Sequence, residues 1–138
     1  MQASDLMRTE VFSVREDDSV ETLMDALVGE HIHGAPVLDS AGGLVGVVTQ
    51  QDVFFAAMTR GRDGEASAVR PEAVKVRSIM TAPAVSASED TDIRSLCRMM
   101  HRLRIHRVPI VREDKVLGII SSLDICNALA TGRLTASE

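Results

Sequence analysis

One pattern occurs twice in this chain, and that repetition constrains the fold more than any other feature. Gly46-Val47-Val48-Thr49-Gln50-Gln51-Asp52 returns as Gly118-Ile119-Ile120-Ser121-Ser122-Leu123-Asp124. Upstream, Ile32-His33-Gly34-Ala35-Pro36-Val37 returns as Ile105-His106-Arg107-Val108-Pro109-Ile110. From Met7/Met80 to Pro36/Pro109 the copies align without a gap at an offset of 73, which becomes 72 at Gly46/Gly118. Ser13/Ser86, Asp17/Asp90, Leu23/Leu96, His33/His106 and Asp52/Asp124 are identical pairs. Each unit is short for a domain, so the copies are expected to share one core with pseudo-twofold symmetry and two related sites.

At 138 residues the chain fits one domain with a real core. It has three Phe and neither Trp nor Tyr, so the core must be aliphatic, and stacking platforms for single-stranded nucleic acid are lacking. The net charge of −5 argues against general nucleic-acid binding. That charge is uneven: residues 1–70 hold 5 Lys/Arg against 12 Asp/Glu, and residues 71–138 hold 10 against 8. A basic second half leaves room for a small anion. Cys97 and Cys126 fall in apolar helical patterns and read as buried free thiols of a reducing cytoplasm. No membrane span or signal-peptide layout is present, so cytoplasm is the expected location.

Each copy reads as strand, helix, strand, strand, helix. Phe12-Ser13-Val14 and Ala84-Val85-Ser86 are short extended segments. Val20, Leu23, Met24, Leu27 and Val28 form one buried helical stripe, repeated by Ile93, Leu96, Cys97 and Met100. Asp17-Asp18-Ser19 and Asp90-Thr91-Asp92 supply N-caps. Strands Ala35–Leu38 and Leu44–Val48 flank a turn whose Gly42 and Gly43 supply positive φ. Their copies, Val108–Val111 and Val116–Ile120, flank Arg112–Lys115. Final helices run from about Gln50 to Thr59 and Ser122 to Thr131, the latter ended by Gly132. Arg60–Pro71 reads as a mobile linker and 133–138 as a frayed tail. The seven Met residues fill core gaps or face a dimer partner.

The element order, the apolar-x-apolar-x-Pro segment and the Gly-apolar-apolar-[Ser/Thr]-x-x-Asp segment together resemble the cystathionine-β-synthase-type (CBS) domain. The likeness covers about residues 3–132. It implies an α/β fold of two tandem β-α-β-β-α motifs: 3–60, a linker 61–76, and 77–132. The resemblance further implies a non-catalytic regulatory module, with clefts between its motifs that bind adenosine-containing ligands such as AMP or ATP, and association into a homodimer.

Thr49-x-x-Asp52 and Ser121-x-x-Asp124 each lie where a strand ends and a helix begins. Free N–H groups and the positive dipole end favour an anion there, a hydroxyl can donate to phosphate, and the carboxylate one turn on can accept both ribose hydroxyls. Gly46 and Gly118 would permit close backbone approach. The same spacing is also a capping box, and a lost cap affects stability where a lost ligand contact affects binding. By the resemblance, Ile32, His33, Gly34, Ala35 and Pro36, with Ile105, His106, Val108 and Pro109, line the clefts. Thr9–Val11 and Thr81, Ala82 and Ala84 would help hold the adenine. Each proline fits an edge position that leaves preceding carbonyls free for a ligand; the alternative is that these are strand starts packed in the core.

Arg107 stands where the first copy has Gly34, and its fork can grip phosphate bidentately. Its site is therefore expected to take the more anionic ligand. Arg98, His101, Arg102, Arg104 and His106 lie nearby, a run that more commonly forms a solvated face. His31 and His33 add imidazoles, but neither Cys is spaced with them as in a metal finger. No P-loop, Rossmann fingerprint, nucleophile elbow or acid/base pair appears, so no enzyme and no cofactor are expected. The expected function is a stand-alone adenine-nucleotide sensor with an unknown regulated protein partner, no nucleic acid and no membrane. The alternative is an interaction module whose clefts stay empty.

Overall fold

In the computed structural model, which describes residues 1–60 and 72–135, the apolar spacing becomes helix and the β-branched runs become strand. The order is α1 (Ala3–Leu6), β1 (Val14–Arg15), α2 (Val20–Gly29), β2 (Gly34–Leu38), β3 (Leu44–Thr49) and α3 (Gln50–Arg60). A 3-10 turn at Val76–Ser78 precedes β4 (Ala87–Ser88), α4 (Ile93–Leu103), β5 (Arg107–Arg112), β6 (Lys115–Ser121) and α5 (Ser122–Ala130). Both sheets have three strands, ordered β1-β2-β3 and β4-β5-β6, with the first pair parallel and the second antiparallel. The fold class is α/β, as the sequence implies.

Ser19 caps α2 by accepting from Thr22 N, and Asp92 caps α4 by accepting from Ser95 N. Val20, Leu23 and Leu27 are the buried positions of α2, but Met24 is 39% and Val28 75% exposed, which corrects the wider stripe. The first hairpin turns on Asp39, whose carboxylate accepts from Ala41 N and Gly43 N, with Gly42 at φ 86°. The second closes more tightly on Glu113 and Asp114, at φ 50° and 66°, and this shorter turn accounts for the change of offset.

Two aliphatic cores result. Val14, Leu23, Leu27, Val37, Val48 and Val76 form one; Ile93, Leu96, Val108, Ile110, Ile120 and Leu134 are among those forming the other. Burial of Leu134, whose N–H donates to Ala128 O, corrects the frayed tail for 133–135. Residues 136–138, like most of the expected linker (61–71), lie outside the described residues. Cys97 is half-buried and Cys126 exposed, correcting the expected buried thiols. Ile125 and Ala128 carry the core face of α5, and the residue after Ile125 turns roughly 100° away from it.

The compact units cut across the sequence repeat. One is Phe12–Ala84; the other joins Met1–Val11 to Val85–Glu138. Ala3 N donates to Thr91 O at 2.8 Å and Ser4 N to Glu89 O at 2.9 Å; Arg8 and Ile119 exchange both backbone bonds at 2.9 Å. The equivalent bonds of the other unit are Val76 N to Asp18 O at 2.8 Å, Arg77 N to Glu16 O at 3.1 Å, and the Thr81–Val47 exchange at 2.9 and 3.0 Å. Each leading segment therefore straps the sheet of the opposite copy.

Candidate functional site

Thr49 and Ser121 are the last residues of β3 and β6, and their carboxylate partners lie in the first turn of the helix that follows. Thr49 N donates to Asp52 Oδ2 at 2.8 Å and Thr49 Oγ1 to the same oxygen at 3.1 Å, while Asp52 N returns to Thr49 Oγ1 at 3.2 Å. Ser121 N donates to Asp124 Oδ2 at 2.9 Å and Asp124 N to Ser121 Oγ at 3.1 Å. The capping box is present in both copies. It uses Oδ2 of each carboxylate, so capping leaves Oδ1 for another partner.

In the second copy that partner is Arg8, whose Nε donates to Asp124 Oδ1 at 2.9 Å. Motif reading missed Arg8. The signal was the repeat itself: position 8 aligns with Thr81 at the offset of 73, so a cation in one copy faces a hydroxyl in the other. Among the described residues no cation pairs with Asp52.

All four motif side chains are partly exposed. A cavity of about 600 Å³ opens beside Asp52, lined also by Gln51, Phe54, Phe55, Ser78 and Ile79. In the other unit a cavity of about 750 Å³ is lined by Arg104, Ile105, His106, Ser122 and Cys126 among others. Both fall in the size range of small-ligand pockets, but the second is lined by none of Arg8, Arg107, Ser121 and Asp124.

Register fixes what stands beside each hydroxyl. Gly34 pairs with Thr49 and Arg107 with Ser121, and directly opposed residues project from the same sheet face. Arg107 is half-buried, and burial pulls its guanidinium below its usual range. It makes no hydrogen bond or ion pair among the described residues. One unit thus places Gly34 beside Thr49 and Asp52, with Thr81 bridged to Val47 on the same strand; the other gathers Arg8, Arg107, Ser121 and Asp124.

The strand entries are less available than expected. His33 O accepts from Gln50 N at 2.8 Å and His106 O from Ser122 N at 2.7 Å, so these carbonyls join strand to helix and are not free. Pro36 and Pro109 lie in the central strands β2 and β5, which corrects the edge placement. Because β1 meets only Val37 and Leu38, however, Gly34–Pro36 has a β-neighbour on one side alone. Ala35, Pro36, Val108 and Pro109 have buried side chains, leaving only their backbone to a ligand; Ile32 and Ile105 are half-buried. Thr9, Thr81 and Ala82 are exposed, and Val11 and Ala84 half-buried. Arg98, His101, Arg102, Arg104 and His106 are exposed, as is His31, which follows α2 at φ 54°.

Gly46 and Gly118, the glycines repeated in both copies, serve the chain itself. A Cβ at Gly46 would lie 2.8 Å from Met80 Sδ and 2.8 Å from Thr81 O; at Gly118 it would lie 2.7 Å from both Met7 Sδ and Arg8 O. The close approach allowed there is that of the strap.

The CBS domain model matches residues 3–59 and 76–131, and the chain belongs to that family. It is 30% identical over 125 residues to the inosine-5'-monophosphate dehydrogenase of Methanocaldococcus jannaschii, covering 90% of this chain and 23% of that protein, so it spans about a quarter of that relative. Its fold is similar to the CBS domain pair of protein MJ0100 in complex with 5'-methylthioadenosine and S-adenosyl-L-methionine (TM-score 0.80, 24% identity, 97% of this chain and 98% of that one). It is also similar to CBSX2 in complex with AMP (TM-score 0.80, 23% identity, 96% and 98% covered). Those two CBS pairs are each in complex with adenosine-containing ligands. Among the described residues no helix is long and apolar enough to cross a membrane.

Proposed function

We propose that the chain is a non-catalytic regulatory module that binds adenine nucleotides such as AMP or ATP. The carrying observation is the divided use of the carboxylates: Oδ2 closes the cap in both copies, and in the second Oδ1 is left to Arg8. Asp52 and Asp124 would take ribose hydroxyls at Oδ1. Thr49 and Ser121, with the helix N-terminus behind them, would face the phosphate. Arg107 would add a fork to the second site and bias it toward the more anionic ligand. In the unit of Asp52, Ile32–Pro36 with Thr81, Ala82 and Ala84 would contact a base, and in the unit of Asp124 Ile105, His106, Val108 and Pro109 would do so, the buried members through backbone only. Adenosine ligands on two proteins of the same fold support this choice.

A thermal-shift and calorimetry panel of adenosine, AMP, ADP, ATP and S-adenosylmethionine tests the proposal. A ligand at 100 times its Kd should stabilise the folded state by about 2.7 kcal/mol. No shift with any member at millimolar concentration would refute it.

A second reading, an interaction module or homodimer, is favoured by α3. Phe54, Phe55 and Met58 are 63%, 68% and 60% exposed, and α3 packs on α2, which exposes Met24 and Val28. A second copy would cover this apolar surface. The free thiols Cys97 and Cys126 suit a cytoplasmic location.

A further inference from the structure

We infer that Arg8 gates the Asp124 site and makes it selective for phosphorylated nucleosides over uncharged ones. This rests on the nucleotide-binding reading above. Arg8 is held by its backbone, through the two-way exchange with Ile119, while its side chain stays 70% exposed and reaches an Asp124 side chain only 10% exposed. The anchor is fixed and the guanidinium is free to swing.

Its position sets the chemistry. The Asp124 oxygen that a ribose hydroxyl would need is the one that Arg8 Nε already occupies. A neutral hydroxyl replacing a guanidinium on a carboxylate exchanges a charge-assisted bond for a weaker one and strands the cation. An uncharged nucleoside is therefore disfavoured. A phosphate changes the exchange, because it offers the same guanidinium a bidentate anionic partner. Arg8 can then pass from Asp124 to the ligand, releasing Oδ1 to the ribose, while Arg107, across the strand from Ser121, supplies a second fork. No covalent step is involved. The equivalent position of the other copy is Thr81, which makes the same backbone exchange with Val47 but carries no charge, and Gly34 stands in place of Arg107. The Asp52 site accordingly lacks the gate and should accept charged and uncharged nucleosides with less discrimination.

The test is calorimetry with AMP and adenosine as probes, in an Asp52→Asn background that isolates the second site, with a circular-dichroism melt confirming that each variant folds. AMP should bind there about tenfold or more tightly than adenosine, the span expected of one charge-assisted bond. Adding Arg8→Gln should lower that ratio, strengthening adenosine and weakening AMP, with Arg107 retaining part of the preference. The reverse construction is Thr81→Arg in an Asp124→Asn background, which should create a preference for AMP at Asp52. If AMP binding requires Asp124 but the ratio is unmoved by both arginine substitutions, the gate is wrong and the nucleotide site stands. If neither probe binds, or binding ignores Asp124, the site itself is wrong and the gate falls with it.

Discussion

Replacing Gly118 with alanine should loosen the strap that carries Met7 and Arg8. Gly118 has no positive φ, so alanine suits its backbone and the effect comes from space alone. The added methyl would sit 2.7 Å from Met7 Sδ, 2.8 Å from Met7 Cγ and 2.7 Å from the Arg8 carbonyl oxygen. The thioether can swing aside. The carbonyl cannot, because it accepts from Ile119 N while Arg8 N donates to Ile119 O. Parting the two backbones forfeits both bonds, about 1–3 kcal/mol in all. Restricting the unfolded chain returns about 0.4–1 kcal/mol. The net loss of about 1–2 kcal/mol should lower the thermal midpoint by about 3–10 °C for a chain of this length. The assay is thermal unfolding of Gly118→Ala, Met7→Ala and the double variant. Since removing the thioether relieves only the soft contact, Gly118→Ala should remain damaging in the Met7→Ala background. An unchanged midpoint, or complete relief by Met7→Ala, would show that the strap does not lie where the structure puts it.

Asp52→Ala should lose its cap at about 1 kcal/mol, and Asp124→Ala the same plus up to about 1 kcal/mol for the Arg8 pair; equal melts for the two would deny the asymmetry. Burial, then Asp92 and Cys126, push the Cys97 thiol above its ordinary range, so iodoacetamide near neutral pH should label Cys126 first and Cys97 only as pH rises; peptide mapping that finds Cys97 first contradicts this. Because the folded form holds that proton more tightly than the unfolded chain, the thiol adds a loss of stability as pH climbs from the ordinary thiol range through the raised one, and none below it. Phe54→Ser with Met58→Ser should turn a dimer into a monomer in sedimentation, since both side chains are exposed; an unaffected dimer would place the interface elsewhere.

Much of the fold was legible because local rules and tertiary packing agree. Ser19 and Asp92 cap where short polar residues precede an apolar period, and Leu23 and Leu96 fall on the buried face of each helix. Strand β1 was displaced, from Phe12–Val14 to Val14–Arg15, because two rungs against Val37 and Leu38 define it and no local pattern does. The strap exchange was hidden for a better reason. Gly46 and Gly118 are equivalent seats, and Met7 and Met80 equivalent occupants, so the repeat itself cannot tell which segment straps which sheet. Met24 and Val28 fit the helical period but meet no sheet, and periodicity alone cannot report that. The carbonyls of His33 and His106 were misjudged because their acceptance of Gln50 N and Ser122 N depends on the sharp turn from strand to helix.

The differences between the copies say more about chemistry than their identities do. Where both need the same geometry the residue is shared: glycine under each strap, methionine upon it, aspartate closing each cap. At two positions around the hydroxyl–carboxylate pair they part, Thr81 against Arg8 and Gly34 against Arg107, and both changes place a guanidinium in one copy alone. Packing asks for neither. Arg107 is the more telling, since a half-buried cation with no partner among the described residues opposes folding through lost hydration. Its stem could be replaced by an unbranched apolar side chain at no cost to the core. Arg107→Met should therefore leave the ligand-free melting temperature unchanged or raise it, while AMP binding at the Asp124 site weakens by about tenfold and loses part of its salt dependence. A fall in ligand-free stability, with AMP affinity untouched, would make Arg107 a structural residue and remove the anion from the second site.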